Sequence, residues 1–454
     1  MKNDTTLVIL GATGDLTSRL LLPALAQLLE RQPNLTIRLV GVGVEDWDDA
    51  TWATLVQRTF TENSGTGCLA SLTTIEYRKA DITKSTDMKK LLGELTGRIA
   101  LYFAVPPAIA AASCAALKRI KLPPNIVLAL EKPFGVDERR ARELNELLAT
   151  LLPENHIFRV DHFLGRTTLL NMLGVRFTNR VFEPLWNAEH VSHVSISYDE
   201  ALGLEGRSGY YDHSGALEDM IQSHLLQVLA FVAMEPPATL DERDLRDATG
   251  AALRATRVWH DDAASFSHRA RYTAGTIDDR QLPSYVDEEG VDPKRETETL
   301  AEVTFEVATA RWAGVPFTLR SGKALSEPRR EVVMNFKPVR HVPGGFTGTA
   351  KGAVLRISLN PDVMSLEINV NGGEDPFALH RVTFDTDLGE GDFKAYAEVL
   401  AEILEGDAAL SVRGDAAEEC WRIIAPVQEA WARGSVPLQE YPAGAKDTIA
   451  WPAS

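Results

Sequence analysis

Short apolar runs and amphipathic segments alternate along the first third of the chain. Each apolar run has the length of a buried strand, and these runs cover residues 7–10, 37–42, 99–104, 126–130 and 157–160. The segments between them repeat apolar residues at helical spacing, over residues 15–29, 49–60, 107–120 and 137–152. Repeated strand–helix units predict a parallel sheet covered on both faces. Residues 1–178 are therefore expected to form an α/β domain built on a parallel sheet.

The pattern changes after about residue 180, where apolar and polar positions begin to alternate singly. Such alternation is typical of half-buried strands, and it covers residues 190–198, 300–307, 330–336, 354–359 and 366–370. Helices are expected over residues 215–234, 392–405 and 416–433, and a long loop over about residues 259–298. Residues 179–454 are therefore expected to form an α+β domain with a large antiparallel sheet.

Length and composition agree with two ordinary folded domains. The chain has 454 residues, of which 44% are hydrophobic and 24% are charged. Its apolar runs are too short for a membrane span or a signal-peptide core, so a cytoplasmic location is expected. Its three cysteines are widely spaced, which suits neither a disulfide framework nor a zinc site and favours reduced thiols in a cytosol.

The formal net charge of −17 restricts the partners of the chain. Such a chain repels nucleic acid and anionic membranes at long range, so neither is expected to bind. An anionic substrate would need a local basic pocket within an otherwise acidic protein.

The first predicted strand leads into Gly11-Ala12-Thr13-Gly14-Asp15-Leu16, which opens a helix. Glycines at this turn let the backbone approach a pyrophosphate, whose charge is stabilised by the helix N-terminus. Two glycines alone are a weak signal, and an ordinary strand–helix turn is the alternative. A later strand ends at Val105-Pro106, and the carboxyl ends of parallel strands line the cofactor crevice.

The second predicted strand ends in Val44-Glu45-Asp46, where a Rossmann-type site contacts the adenosine ribose. An acidic residue at this point binds the 2′-hydroxyl of NAD, whereas an arginine accepts the 2′-phosphate of NADP. Glu45 would repel that phosphate, so these residues favour NAD. The alternative is that Glu45 is only the first polar residue of a loop, because pattern alone does not fix the register.

Two further polar segments follow strands of the same predicted sheet. Lys132 could place its ammonium between cofactor and substrate, although a solvated strand-end lysine is the alternative. The segment at residues 159–166 brings together Asp161, His162 and two arginines. Histidine and arginine donors suit a phosphate and would supply the basic pocket, while a structural salt-bridge corner is the alternative.

His224 stands in an otherwise apolar helical segment and follows Asp219 and Gln222. Histidine is the natural base near neutral pH, and a carboxylate can fix its tautomer. A core histidine that only makes hydrogen bonds is the alternative.

Together these segments resemble the glucose-6-phosphate dehydrogenase family in order and spacing, over roughly residues 5–440. The main motifs are G-x-x-G-D-L at 11–16, E-K-P-F-G at 131–135, R-V-D-H-F-L-G at 159–165 and D-M-I-Q-S-H-L-L at 219–226. Further matches are Y-T-A-G at 272–275, W-A-G-V-P-F at 312–317 and R-S-G-K at 320–323. The resemblance implies a Rossmann domain, a large antiparallel-sheet domain that dimerises, assembly as a homodimer or homotetramer, and no metal.

The resemblance also implies roles for named residues. His224 would be the general base that takes the C1 hydroxyl proton of the sugar phosphate, with Asp161 as its carboxylate partner. Lys132 would hold both the substrate and the nicotinamide side, and hydride would leave C1 to give a lactone. The other substrate-binding residues would be Glu200 and Asp219 on the sugar hydroxyls, and His162, Arg166 and Lys323 on the 6-phosphate.

Several positions depart from the pattern of the family. Arg166 stands where lysine is usual, Phe163 where tyrosine is usual, and Pro328 near a position that is often basic. Members that use NADP commonly carry arginine at the position of Val44. That difference agrees with Glu45, so NAD is expected to be preferred over NADP.

Three other functions remain open. A Rossmann sugar oxidoreductase of the inositol or glucose–fructose type also carries E-K-P, but it lacks the long helix that ends in His-Leu-Leu. A non-catalytic paralogue would bind cofactor or a partner, and the intact Lys132, Asp161 and His224 argue against it. A dehydrogenase of a different anionic sugar would keep all three of these residues.

Overall fold

The computed structural model of the chain describes residues 5–64, 67–165, 167–373, 375–388 and 395–446. The strands are, in chain order, β1 Thr5–Leu10, β2 Ile37–Gly43, β3 Leu72–Lys79, β4 Arg98–Phe103, β5 Ile126–Glu131, β6 Ile157–Val160, β7 Val191–Asp199, β8 Thr256–Val258, β9 Ser267–Thr273, β10 Gly275–Ile277, β11 Arg280–Leu282, β12 Leu300–Val307, β13 Phe317–Gly322, β14 Arg330–Phe336, β15 Val354–Ser358, β16 Val363–Asn371, β17 Leu379–Asp387 and β18 Leu438–Pro442.

The α-helices are α1 Leu22–Arg31, α2 Asp49–Ser64, α3 Ser85–Gly93, α4 Pro107–Leu117, α5 Glu138–Ala149, α6 Thr167–Thr178, α7 Ser208–Ala216, α8 Leu226–Ala233, α9 Glu242–Arg254, α10 Ala395–Glu405 and α11 Gly414–Ala432. Two segments are π-helical, Thr17–Leu21 and Leu217–Leu225. Short 3₁₀ turns lie at Gly67–Ser71, Glu154–His156, Glu183–Leu185, Trp259–Asp261, Tyr285–Asp287 and Pro293–Arg295.

The chain divides into two compact units, and each is built from more than one stretch of sequence. The first unit comprises Met1–Arg166, Pro237–Asp247 and Gly391–Glu418, and the second comprises Thr167–Pro236, Ala248–Glu390 and Glu419–Ser454. The domain boundary expected between residues 178 and 179 stays a prediction. Within the described ranges, no helix combines the length and apolarity needed to cross a membrane.

The first unit is built on a six-stranded sheet with the order β3-β2-β1-β4-β5-β6. Every neighbouring pair of strands in it is parallel. One face packs on α1, α2 and α10 through residues such as Leu7 and Ile9, and the other packs on α3, α4 and α5 through Val8 and Leu10. Because both faces are covered, the central strands are continuously apolar. The Rossmann-type expectation for this part of the chain is confirmed.

The second unit is built on a ten-stranded sheet with the order β17-β16-β15-β14-β7-β13-β12-β9-β18, in which β8 also pairs with β12. Most pairs are antiparallel, but β7 with β13 and β9 with β18 are parallel. The α+β class is therefore confirmed, and the sheet is mixed rather than antiparallel throughout.

The long loop expected over residues 259–298 is wrong in its middle, because β9 lies there and pairs with both β12 and β18. Two polar residues of this strand, Ser267 and Arg269, are buried. Ser267 Oγ donates to Ala263 O, and Arg269 Nε donates to Val436 O at 3.1 Å. Because these polar side chains face the core, the strand lacks the alternation of apolar and polar residues by which a strand is recognised in a sequence.

The stability of the first unit is expected to depend on Glu402 of α10. Its Oε2 accepts from the Leu410 amide at 3.1 Å. Burial, with the nearby carboxylates of Asp407, Glu398 and Glu405, raises the pKa of Glu402 to about 8. Between the ordinary pKa of 4.5 and that value, the folded chain holds a proton that the unfolded chain releases, so stability falls as pH rises through this window.

Glu402→Gln is therefore expected to stabilise the protein increasingly from pH 5 to pH 8. Glutamine imitates the protonated carboxyl at every pH and keeps an oxygen for the Leu410 amide. The Tm advantage of the variant should grow by about 3 °C across this range, which is about 1 kcal/mol for a unit of this size. Thermal melts at pH 5 and pH 8 measure it, with Glu62→Gln on the exposed face of α2 as control. An advantage that does not change with pH contradicts the assignment.

Candidate functional site

The glycine turn between β1 and α1 packs closely against the end of β4. Gly11 has a φ of +91°, and its amide donates to Val42 O at 2.8 Å. A Cβ at Gly11 would lie 2.3 Å from Ala104 O and 2.8 Å from Val105 Cγ1. Only glycine fits here, and the turn therefore lies directly beside Val105, at the carboxyl edge of the sheet.

The backbone that follows this turn is open to solvent. Gly14 N donates to Gly11 O at 3.1 Å, and Thr17 Oγ1 donates to the same oxygen at 3.0 Å. Thr13, Gly14 and Leu16 are partly exposed, and Asp15 and Pro106 are exposed. Amides at the start of a helix, close to a glycine turn, hold the pyrophosphate in dinucleotide-binding sites. The residues expected at this end therefore fit such a cofactor.

Glu45 lies just beyond β2 and folds back over Gly43. A Cβ at Gly43 would lie 2.6 Å from Glu45 Oε2, 2.6 Å from Tyr77 Oη and 3.6 Å from Thr13 Cγ2. Tyr77 Oη donates to Glu45 O at 3.1 Å. Burial, followed by the charges of Glu45 and Asp46, raises the pKa of Tyr77 to about 12, so Tyr77 remains a neutral donor. The backbone of Glu45 is thus held by Tyr77, and its carboxylate lies beside Gly43, close to Thr13 of the glycine turn.

Strands β5 and β6 end side by side, with Glu131 paired to Val160. Lys132 and Asp161 therefore follow at the same edge of the sheet. The Glu131 carboxylate accepts from the hydroxyls of Tyr102 and Tyr396. Burial raises the pKa of Glu131 to about 7 against the opposing effects of these hydroxyls and of Lys132, and the charge of Asp161 raises it further. This edge of the first unit gathers two carboxyl groups and one ammonium.

Asp161 and His162 begin the turn that follows β6. Asp161 is only 2% exposed, and its Oδ1 accepts from the Phe163 amide at 2.9 Å. The imidazole of His162 is stacked on the ring of Tyr396, with 5.3 Å between centroids and 12° between planes. The ring of Phe163 is also close to the imidazole, in an edge-type arrangement with 5.2 Å between centroids and 64° between planes. Arg166, the second phosphate ligand expected in this segment, lies outside the described residues.

In the second unit, Asp219 and His224 lie on the π-helical segment Leu217–Leu225. Gly215, with a φ of +59°, precedes it, and Leu217 N donates to Glu298 Oε1 at 2.9 Å. The segment packs against β7, β12 and β13. Both residues are buried, since Asp219 is 8% exposed and His224 is 1% exposed. The single helix expected over residues 215–234 is therefore a π-helical segment that continues into α8.

Glu200 and Lys323 are brought together by the parallel pairing of β7 with β13. Gly322 pairs with Asp199, so the next residues of both strands lie side by side. Lys323 Nζ lies 2.6 Å from Glu200 Oε2 and 5.0 Å from the centroid of the Tyr211 ring. Two residues expected to bind the substrate thus form an ion pair at the edge of this sheet.

The arginines that follow Pro328 surround Asp199 at the end of β7. Arg330 Nε donates to Asp199 O at 3.3 Å, and Arg329 Nε lies 3.5 Å from Asp199 Oδ2. Arg320 Nε also lies 3.3 Å from Asp199 Oδ2. Burial raises the pKa of Asp199 in spite of these cations. The basic residues near Pro328 are thereby placed on the strand end that precedes Glu200.

Sequence reasoning missed four tyrosines of these sites. Tyr77 and Tyr102 lie in strands, where an aromatic residue indicates only a core position. Tyr211 was given no role, and Tyr396 lies in a helix without a motif. A hydroxyl near the carboxyl edge of a predicted sheet was the one available signal, and it applies only to Tyr102, because the strand that carries Tyr77 was not predicted.

Comparisons with known proteins agree with this arrangement in both halves of the chain. Residues 8–171 match the family model of the glucose-6-phosphate dehydrogenase NAD binding domain, and residues 173–451 match that of its C-terminal domain. The chain is 36% identical to a glucose-6-phosphate 1-dehydrogenase of Zymomonas mobilis, over 97% of this chain and 95% of that one. It is 36% identical to the enzyme of that name from Gluconobacter oxydans, over 96% and 93%.

A solved structure is also similar over nearly the full length. It is described as glucose-6-phosphate dehydrogenase in complex with its substrate glucose-6-phosphate. The TM-score is 0.86 at 28% sequence identity, and the match covers 99% of this chain and 96% of that one.

Proposed function

This chain belongs to the glucose-6-phosphate dehydrogenase family, and from that membership we propose that it oxidises glucose 6-phosphate at C1 to the 6-phospho-lactone. The observation that carries the proposal is the match to glucose-6-phosphate 1-dehydrogenases across both halves of the chain. The fold alone would not be sufficient, because one fold hosts many activities.

The proton chemistry is assigned to His224, with Asp161 as its carboxylate partner. A neutral imidazole takes the proton of the C1 hydroxyl, and a carboxylate fixes the tautomer of that imidazole and stabilises the imidazolium that forms. Lys132 holds the substrate and the nicotinamide side from the end of β5. When bound at the carboxyl edge of the six-stranded sheet, a nicotinamide cofactor would supply the acceptor for the hydride of C1. His224 then returns its proton to solvent.

Substrate binding is assigned to five polar side chains. Their acceptors face sugar hydroxyls and their cations face the 6-phosphate, and the residues are Glu200, Asp219, His162, Arg166 and Lys323. The ion pair of Lys323 with Glu200 supports this assignment, because it places a cation and a hydroxyl acceptor within 2.6 Å of each other.

The cofactor is assigned to the crevice at the carboxyl edge of the six-stranded sheet. The pyrophosphate would be held by the backbone of Gly11, Thr13, Gly14, Asp15 and Leu16. Val105 and Pro106 would border it at the end of β4, and Glu45 would face the adenosine ribose. The position of Glu45 Oε2 beside Gly43 supports NAD as the preferred cofactor, with NADP as the weaker one.

The test of the proposed function is an absorbance assay of reduced nicotinamide. Glucose 6-phosphate should give reduced cofactor with a far higher kcat/KM than unphosphorylated glucose. A higher kcat/KM with a different anionic sugar would identify that sugar as the substrate. If no sugar phosphate gives reduced cofactor, the chain is a binding protein instead.

NAD is expected to exceed NADP in kcat/KM by about tenfold or more, which is about 1.4 kcal/mol. The charge of Glu45 would repel the 2′-phosphate of NADP and accept a hydrogen bond from the ribose of NAD. Glu45→Gln should reduce this preference severalfold. The matched control is Asp46→Asn, since Asp46 Oδ1 is already paired with Lys79 Nζ at 2.9 Å. A preference for NADP, or an unchanged ratio in Glu45→Gln, would reject the assignment.

We further propose that the protein is a homodimer or homotetramer, as its family membership implies. Light scattering coupled to size-exclusion chromatography would measure the mass, and the mass of a monomer would reject this oligomeric state.

We also propose a cytoplasmic location, which the thiol form of the buried Cys68, Cys114 and Cys420 favours. Cell fractionation tests it, and recovery outside the cytoplasm would contradict it.

A further inference from the structure

The first turn of α10 is in backbone contact with the turn that carries Asp161 and His162. A Cβ at Gly165 would lie 2.6 Å from Ala395 O and 3.2 Å from Val399 Cγ2. Only glycine permits this approach, and α10 also buries Ala397, Leu400 and Leu404 in the core of the first unit. The start of α10 is thus fixed against the turn after β6, in a part of the sequence more than 200 residues away from it.

Tyr396, in this first turn of α10, contacts two different strand ends. Its ring is stacked on the imidazole of His162, 5.3 Å between centroids and 12° from parallel. Its hydroxyl donates to the carboxylate of Glu131, at the end of β5. Glu131 Oε1 also accepts from Tyr102 Oη on β4, so the carboxylate is itself held by the sheet. The hydroxyl of Tyr396 is therefore fixed at Glu131, and one face of its ring lies against the imidazole of His162.

This geometry restricts the rotation of the His162 side chain. An imidazole with a free face can adopt several rotamers, and each rotamer lost on binding lowers affinity. Here one face is covered by Tyr396, and the ring of Phe163 makes an edge-type contact with 5.2 Å between the two ring centroids. His162 is partly exposed, so its ring nitrogens are restricted in direction while the side chain remains accessible.

We propose that Tyr396 is a positioning residue for substrate binding: anchored to Glu131, it holds the imidazole of His162 in the orientation that receives the phosphate of the sugar. This inference rests on the proposed function, in which His162 binds the 6-phosphate. Tyr396 acts through His162 and does not itself take part in the chemistry. Its aromatic face carries the effect, and its hydroxyl fixes that face.

The principal test is Tyr396→Leu in the full-length protein, which removes both the aromatic face and the hydroxyl. The KM for glucose 6-phosphate should rise about tenfold, equivalent to about 1.4 kcal/mol, while kcat and the KM for NAD change less than twofold. The kcat/KM for unphosphorylated glucose should not change, because glucose has no phosphate for His162 to bind. Tyr396→Phe keeps the stacked ring, and its KM should stay within about threefold of the parent, because the aromatic face carries most of the effect.

Two controls separate positioning from general loss of structure. Tyr102→Phe removes the other hydroxyl from Glu131 without touching His162, and it should leave the KM for glucose 6-phosphate within twofold. Tyr396→Met, which fills more of the same space, replaces the leucine variant if that variant shows a lowered Tm. An equal rise of KM in Tyr102→Phe and Tyr396→Leu would overturn the proposal, as would an equal loss of kcat/KM with glucose.

A double-mutant cycle of Tyr396→Leu with His162→Ala completes the test. If Tyr396 acts through His162, Tyr396→Leu should add little to the KM change that His162→Ala already causes, whereas independent residues give additive effects. Additive effects would overturn the positioning role alone. No change of KM in His162→Ala would instead remove His162 from the phosphate site, which is a failure of the proposed function.

Discussion

His224→Ala is expected to lower kcat by about a thousandfold, within the range of 10²–10⁴ that a positioned general base contributes. The proposed mechanism assigns no other side chain to take the proton of the C1 hydroxyl, so the loss should be large. The effect should fall on kcat, and the KM for glucose 6-phosphate should change by less than about threefold, because the base acts on the reacting proton. Steady-state kinetics with NAD at saturation measure both quantities.

The matched control for this substitution is His213→Ala. His213 is an exposed histidine of α7 in the same unit, and its removal should leave kcat within twofold. Added imidazole should restore part of the kcat of His224→Ala and have no effect on the parent, which a purely structural histidine would not show. Near-full turnover of His224→Ala would remove His224 from the reaction.

How much of the first unit the sequence predicts depends on burial. Ile157–Val160 forms a strand with the expected bounds, because both faces of the parallel sheet are covered and its strands are continuously apolar. Strand β3 was missed, because most of its residues are exposed or partly exposed and Glu76 and Arg78 form an ion pair on it. An edge strand without an apolar signature resembles a loop in sequence.

In the second unit, strands are missed when polar residues are buried in them. Strands β12 and β14 coincide with the predicted runs, since their apolar residues alternate with polar ones. Strand β13 was not predicted, because Arg320 and Ser321 are buried in it. Their partners, Asp199 and the backbone of Tyr198, are more than 100 residues away in the chain, where no local pattern shows them.

The π-helical segment that carries His224 begins at a contact that is also distant in sequence. Glu298 receives the Leu217 amide, and a Cβ at Gly215 would lie 2.3 Å from Glu298 Oε1. Apolar spacing predicted the helix, but the carboxylate that accepts its first amide lies 81 residues away in the chain. Irregular turns of this kind are frequent at functional sites.

The candidate site contains some residues whose position the sequence predicts and others whose position it does not. Gly11, Glu45, Lys132 and Asp161 directly follow apolar strands, so their position at one edge of a parallel sheet follows from sequence alone. The residues that hold them come from elsewhere. Tyr77 holds the Glu45 carbonyl from β3, and Tyr396 reaches Glu131 from α10. Folding alone brings these residues together, and neither lies in a motif.

Asp161→Asn is expected to lower kcat by about 10²–10³-fold, since a carboxylate beside a catalytic histidine fixes its tautomer and stabilises the imidazolium. In the parent, Asp161 Oδ1 accepts a hydrogen bond from the Phe163 amide at 2.9 Å. Asparagine keeps an oxygen for this bond, so the turn after β6 should persist. The negative charge is lost, and the new amide nitrogen donates where the carboxylate accepted. Steady-state kinetics and a thermal melt of the same variant measure the two consequences separately.

The decisive comparison for Asp161 is with Glu131→Gln, a neighbouring carboxyl of the same unit. Because the pKa of Glu131 is raised to about 7, this group is already about half neutral near that pH, and its amide should cost kcat less than about tenfold. If only the nearby negative charge mattered, both variants would lose activity similarly. If Asp161 were only structural, its kcat loss would be accompanied by a lower Tm. A large loss of kcat in Asp161→Asn with an unchanged Tm and an unchanged KM for NAD leaves the carboxylate partner of the base as the remaining explanation.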